Sequence, residues 1–153
     1  MFGIENIKRY FASCGRANDY IFMTTQDSNS FAVARALNLV IVRVNGNFVE
    51  LLGDVPVDTS KVTKQALLEY CNERNQAQND DVPFATLYLN ENCTKIVHYY
   101  AIPLVFISIM ESEHRLQNLS SLVPPIAEYR VISLMSMMNK TREDLDRGCL
   151  YEM

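Results

Sequence analysis

The chain has 153 residues, 48% of them hydrophobic and 21% charged, and a formal net charge of −4 at pH 7. That length fits one domain with its own apolar core, and the composition excludes wholesale disorder, collagen and coiled coil. The acidic balance and the lack of a basic stripe argue against a nucleic-acid partner. No apolar run reaches the roughly 18 residues that read as a membrane span.

The opening MFGIENIKRYFASCG sets Lys8 and Arg9 inside an apolar stretch, which is not the order of a secretion signal. The cysteines are Cys14, Cys71, Cys93 and Cys149, and none forms a CxxC pair. A zinc knuckle is therefore not expected, and reduced thiols in a cytoplasm are. Three stretches (Asn92-Cys93-Thr94, Asn118-Leu119-Ser120 and Asn139-Lys140-Thr141) match a glycosylation acceptor. They carry no meaning in a chain outside the secretory pathway.

In chain order, Ile4, Ile7, Phe11 and Cys14 recur along one face of an amphipathic helix, which Gly15 is placed to stop. Tyr20 to Thr25 reads as a short strand, and Gln26 to Ser30 as a polar turn. Leu39 to Val44 and Phe48 to Leu52 flank Asn45-Gly46, the preferred pair for a type I′ hairpin. With those two as the loop, Val42 faces Val49 and Val40 faces Leu51 on a nearly all-apolar face. The opposite face then mixes Arg43 and Glu50 with Leu39, Ile41, Phe48 and Leu52. A sheet covered on one side should show a cleaner polar face. Both burial under a helix and an exposed protein-binding patch fit this mixture.

Gly53 to Asp58 is expected to leave the sheet, with Pro56 ending any pairing. Thr59 or Ser60 can cap a helix from about Lys61 to Ala77, buried through Val62, Ala66 and Tyr70. Gln78 to Asp81 breaks it. Phe84 to Leu89 and Lys95 to Ile102 form a second hairpin around Asn90-Glu91-Asn92, with its register open. Leu104 to Met110 fits either an extension of the last strand or a new helix. Leu116, Leu119 and Val123 suggest a helical turn or two, and Pro124-Pro125 should interrupt it. From Ile126 to Lys140, the residues Ala127, Val131, Leu134, Met135 and Met138 make a clean helical face, with Tyr129, Ile132 and Met137 off it. Residues 141–153 are charged and read as a frayed tail.

The order is helix, three strands, helix, two strands, helix (α-β-β-β-α-β-β-α). Short turns between strands make the sheet antiparallel. The fold class is α+β, a two-layer sandwich on an antiparallel sheet of about five strands. Residues 1–140 form its single domain and 141–153 a charged C-terminal tail.

The opening helix IENIKRYFASCG, the hairpin LVIVRVNGNFVELLG, the helix segment ALLEYCNERN and the following PFATLYLNENCTKIVHYY together resemble the YbjN-like family. These bacterial proteins are assigned to sensory-transduction regulation, and they look like the class I chaperones of type III secretion in fold. Asn72, Asn75, Phe84, Ala85, Leu87 and Leu89 fill the family's Asn-containing helix end and F-A-x-L-x-L strand. The stretch from Leu104 to Pro125 is longer than the family's step into its final helix. The resemblance implies a non-enzymatic, usually dimeric, protein-binding domain with no catalytic residues to carry over.

Glu111, Glu113 and His114 come nearest to a metal or acid–base cluster, but the second Glu/His pair of a di-iron bundle is missing. No nucleophile elbow, Cys-His signature or glycine-rich phosphate loop occurs. Met135, Met137 and Met138 fit plain core, or a pliable surface for apolar partners. The expectation is a soluble, cytoplasmic, homodimeric domain that binds another polypeptide, with no catalytic residue, cofactor or metal. Its candidate partner or dimer surface is Leu39, Ile41, Phe48, Leu52, Tyr129, Ile132 and Met137. A self-associating adaptor module is one alternative, and a small enzyme or ligand binder with an unrecognised pocket is the other.

Overall fold

The computed structural model describes residues 3–14, 19–76, 85–104 and 119–147, with side chains from residue 122 in the last stretch. Its elements are α1 (Ile4–Cys14), β1 (Ile21–Thr24), β2 (Ser30–Arg35), β3 (Asn38–Asn45), β4 (Phe48–Pro56), α2 (Lys64–Gln76), β5 (Thr86–Leu89), β6 (Lys95–Pro103) and α3 (Leu119–Asp146). The strands form one antiparallel sheet in the order β1-β2-β3-β4-β6-β5. The described helices lie on one side of it, so the fold is the expected two-layer α+β sandwich, with six strands among the described residues in place of about five. The extra strand is β2. It was invisible because the β2–β3 tip is Ala36-Leu37, with Ala36 at φ 53°. A two-residue hairpin normally announces itself with Gly, Asn or Asp there.

The expected β3–β4 hairpin forms with its loop moved by one residue. Asn45 pairs with Phe48, leaving Gly46 and Asn47 as the loop. Gly46 alone of the two has positive φ, at 59°, which is the type II′ arrangement rather than type I′. Val42 therefore sits opposite Leu51, not Val49, and Arg43 opposite Glu50. Partners shift by two, so each side chain keeps its face. Val40, Val42, Val49 and Leu51 are all fully buried under the helices.

β4 does not leave the sheet at Gly53 but runs to Pro56, paired with Lys95. The Val57 N–H donates to the Thr94 carbonyl (2.9 Å). Backbone N–H groups alternate sides along a strand, so the nitrogen of Pro56 points away from β6, beyond the end of its pairing with β3. Its missing proton removes no ladder bond. The cap of α2 is Thr63, whose Oγ1 accepts from the Ala66 N–H (3.1 Å), so the helix starts after Thr59 and Ser60. In the second hairpin Leu89 pairs with Ile96. At the far edge the Asn75 amide takes both backbone groups of Leu87 (2.8 and 2.9 Å), which blocks that edge against further pairing.

α3 runs unbroken through Pro124 and Pro125. Both prolines lie in its second turn, so the two carbonyls that lose an i→i−4 partner, at residues 120 and 121, are those of the first turn. The helix also continues past Lys140 to Asp146, burying Thr141 and Leu145. Its buried arc is wide because the sheet lies beneath it, α1 packs beside it, and α2 reaches it through Tyr70 and Arg74. That is why Met137, off the narrow face, is only 3% exposed. Met135, Met137 and Met138 are all core.

The helix layer is bolted down by a buried polar network. His98, fully buried on β6, has Nδ1 at 3.2 Å from the Ile96 carbonyl and Nε2 at 2.7 Å from the Thr141 hydroxyl. Both ring nitrogens thus have a polar partner, and the Thr141 hydroxyl also donates to the Met137 carbonyl of its own helix (3.2 Å). Arg74 of α2 donates to Thr141 Oγ1 (3.1 Å) and to the Tyr70 hydroxyl, and Tyr70 donates to Asp144 (2.6 Å). Burial, helped by the charge of Arg74, pushes the His98 pKa down to about 4.

The sequence readings at Gly15, Ala77 to Asp81, Phe84, Val105 to Asn118 (with Glu111, Glu113 and His114) and Cys149 fall outside the described residues.

Candidate functional site

Strand pleat sends alternate side chains to opposite faces, and the sheet's two faces differ sharply. The inner face is packed under α1 and α3. No described helix covers the outer face. There Ile41 of β3 stands directly opposite Leu52 of β4, with Leu39 one pleat along. The outer face also carries Phe48, paired with Asn45 and Pro103, and Tyr88 on β5. Leu39, Phe48 and Tyr88 are 43%, 46% and 43% exposed, and Leu37 at the hairpin tip is 80% exposed. Four of the seven predicted surface residues (Leu39, Ile41, Phe48 and Leu52) are thus brought together on one open face.

The other three are elsewhere. Tyr129 is 63% exposed and Ile132 half-buried, both on the back of α3 beside a hollow shared with Tyr10 and Arg35. Met137 belongs to the core, as above.

In the middle of the outer face sits a polar knot around one buried carboxylate. Glu50 is 7% exposed, and its carboxylate accepts from Arg43 Nε (2.7 Å), Asn45 Nδ2 (3.1 Å) and the Tyr99 hydroxyl. Burial alone would raise the Glu50 pKa. The bonds from Tyr99, Arg43 and Asn45 outweigh it and hold the carboxyl below its ordinary range. The Tyr99 hydroxyl is pushed up to about 12, by burial first and by Glu50 second. The knot satisfies its own charges, so it can lie under an apolar partner without leaving an unpaired ion.

Beside the knot runs a groove of about 700 Å3. Leu37, Leu39, Ile41 and Leu52 supply its apolar wall, and Arg43, Asp54, Lys95 and Arg142 its charges. Arg142 comes from the stretch read as a frayed tail, and Leu37 from the hairpin that carried no turn signal, so neither was singled out in advance. Arg142 donates to the Leu37 carbonyl (3.0 Å) and to Asn38 Oδ1. Burial draws the Arg142 pKa down and the charge of Asp146 opposes this.

This arrangement can bury apolar side chains and meet a few charges. Among the described residues no group of three or more His, Cys, Asp or Glu could hold a metal ion. No described helix is long and apolar enough to cross a membrane.

No family model and no curated protein sequence matches the chain. Among solved structures it is similar to a chain of the HopA1–SchA chaperone–effector complex, at 13% identity and a TM-score of 0.52, over 94% of this chain and 99% of that one. It is also similar to YbjN from E. coli, a proposed transcription regulator, at 10% identity and a TM-score of 0.45, over 84% of this chain and 94% of that one. The fold, an open antiparallel sheet with its described helices on one side, is shared with a chain of the chaperone–effector complex, as the sequence resemblance implied.

Proposed function

We propose that the protein is a non-enzymatic, cytoplasmic domain that binds another polypeptide, in a chaperone-like or regulatory role, by burying the partner's apolar segments against the outer face of its sheet. The observation that carries this reading is the outer face itself, where Leu37, Leu39, Phe48 and Tyr88 stand 43–80% exposed around a self-neutralised Glu50. Soluble proteins rarely leave apolar patches of this kind without a use. The fold it shares with a chain of a chaperone–effector complex agrees with that use.

The test is a titration of the full chain with a set of short, fluorescently labelled apolar peptides, run beside the Ile41→Asp variant. Ile41 points outward, so the variant should keep its circular dichroism and lose binding. Equal binding by both proteins would remove the outer face from the reading.

We further propose a two-fold dimer, on the exposure of Tyr129 beside Ile132 on the back of α3. Light scattering on the unmodified protein and on Tyr129→Glu tests it. A monomer at micromolar concentration defeats it.

A further inference from the structure

The β2–β3 tip is built against local preference. Ala36 holds a left-handed backbone, φ 53°, that a residue with a side chain adopts only where its surroundings impose it. The imposition comes from α3. Asn38 is 3% exposed and donates to Asn139 Oδ1 (2.8 Å) and the Met135 carbonyl (3.4 Å). Arg142 then grips the Leu37 carbonyl and the Asn38 side chain. The outcome is that the Leu37 backbone is held while its side chain stands in water at 80% exposure, packed against none of the core. A partner that covers Leu37 then has to order only its side chain and not the loop that carries it, which lowers the cost of using it as an anchor.

The charges of the groove say what kind of partner. Arg43 is neutralised by Glu50 (2.7 Å) and Lys95 by Asp54 (3.8 Å). Arg142 has no carboxylate within ion-pair distance among the described residues. Its acceptors are neutral, and Asp146, one turn on, acts on it only at longer range. The surplus charge of the groove is thus one positive guanidinium beside Leu37. The groove does not end there. Leu37, Pro56 and Arg142 also line the adjoining hollow, which carries Asp58, Lys61 and Asp146. A bound chain can run on past Arg142, so the matching carboxylate is an internal side chain rather than a chain end. Asp58 and Asp146 would repel a second acid there.

We infer that the outer groove takes a polypeptide segment carrying a single acidic side chain between apolar residues, with Arg142 as its counter-charge and Leu37 as its apolar anchor. This rests on the polypeptide-binding reading of the same face.

The experiment uses the full chain and a labelled peptide with leucines on both sides of one glutamate, plus its glutamine and lysine counterparts. The glutamate peptide should bind about three- to tenfold tighter than the glutamine one, and the lysine one weakest. Arg142→Gln should erase that ranking, and Leu37→Ser should weaken all three peptides alike. Asn139→Ala loosens the tip but keeps the cation, so it should preserve the ranking. Equal binding of the glutamate and glutamine peptides overturns the acidic anchor while the apolar face stands. A ranking lost in Asn139→Ala as fully as in Arg142→Gln overturns the charge role of Arg142. Failure of all three peptides overturns the inference, and the Ile41→Asp titration then decides separately whether the face binds polypeptide. Dissociation of a dimer by Leu37→Ser would put a second copy in the groove and overturn the peptide occupant.

Discussion

Leu51 and Leu52 are neighbours in the chain and live in different worlds. Leu51 points under α3 and is fully buried; Leu52 points to the open face and lines the groove. The same contrast runs along β3, where Val40 and Val42 are fully buried and Leu39 is 43% exposed. The inner face is apolar because the fold needs it. The outer face is apolar with no described helix to hide it, and around the Glu50 knot the charges neutralise one another. The difference teaches that neighbouring leucines on one strand meet different surroundings, packed helices on one face and an open groove on the other.

The largest expected effect tests that division directly. Leu51→Ala should lower the unfolding free energy by about 2–5 kcal/mol, the range for a buried leucine that leaves a cavity. Leu52→Ala should cost no more than about 1 kcal/mol. Chemical denaturation of both variants measures this. Comparable losses would mean that the outer face is covered in solution, and the contrast would fail.

The next effect lies in pH. The His98 pKa is depressed to about 4 in the folded protein from an ordinary 6.5, because burial disfavours its charged form. Its contribution is fully present above pH 6.5 and is lost as pH falls through about 4, because the unfolded chain binds the proton first. The loss across that window is about 3 kcal/mol. His98→Gln should flatten the stability profile between those two pH values, whatever it does to absolute stability. An unchanged slope would show that His98 is not buried neutral.

Glu50 on the outer face should respond later on acidification and less strongly. Its folded pKa lies below the ordinary 4.5, so its contribution is present above that value and fades only as pH falls through the lowered one. Glu50→Gln should cost about 1–2 kcal/mol at neutral pH, the range for a buried hydrogen-bonded group that loses its fit. The difference from the unmodified protein should vanish once the pH lies below that lowered value. A difference that persists there would mean that packing, not charge, is what Glu50 contributes.

These contrasts also mark what the sequence made legible. Alternation along LVIVRV and FVELL exposed the apolar surplus of the second face, and that surplus survived a loop placed one residue early because the partner shift was even. Helical spacing placed Ile7, Phe11, Val131 and Leu134 in the core. Three things were hidden. β2 ends in Ala36-Leu37, a turn imposed by tertiary bonds from α3 rather than by turn chemistry. α3 passes two prolines and buries an arc set by three neighbours, so a narrow stripe misplaced Met137. The charge of residues 141–146 concealed Thr141, Arg142 and Asp144, whose partners are distant in sequence and cannot be read from local pattern.

The smallest expected effect on stability is also the one that bears hardest on function. Leu39 is 43% exposed, on the outer face opposite Ala34, and lines the groove next to Leu37. Leu39→Ser removes apolar surface that the folded chain already leaves partly in water, so unfolding should change by no more than about 0.5 kcal/mol. A partner that covers Leu39 gains the burial of that surface, worth about 25 cal/mol per Å2 removed from water. Serine forfeits that gain and adds a hydroxyl that must be desolvated without a partner. Binding of apolar peptides should therefore weaken by about tenfold or more, roughly 1.4 kcal/mol, while the denaturation midpoint stays in place. A variant that binds normally would shift the contact region away from the Leu37–Leu39 end of the face. A variant that unfolds readily would show that Leu39 supports the sheet itself, and the line drawn between the two faces would have to move.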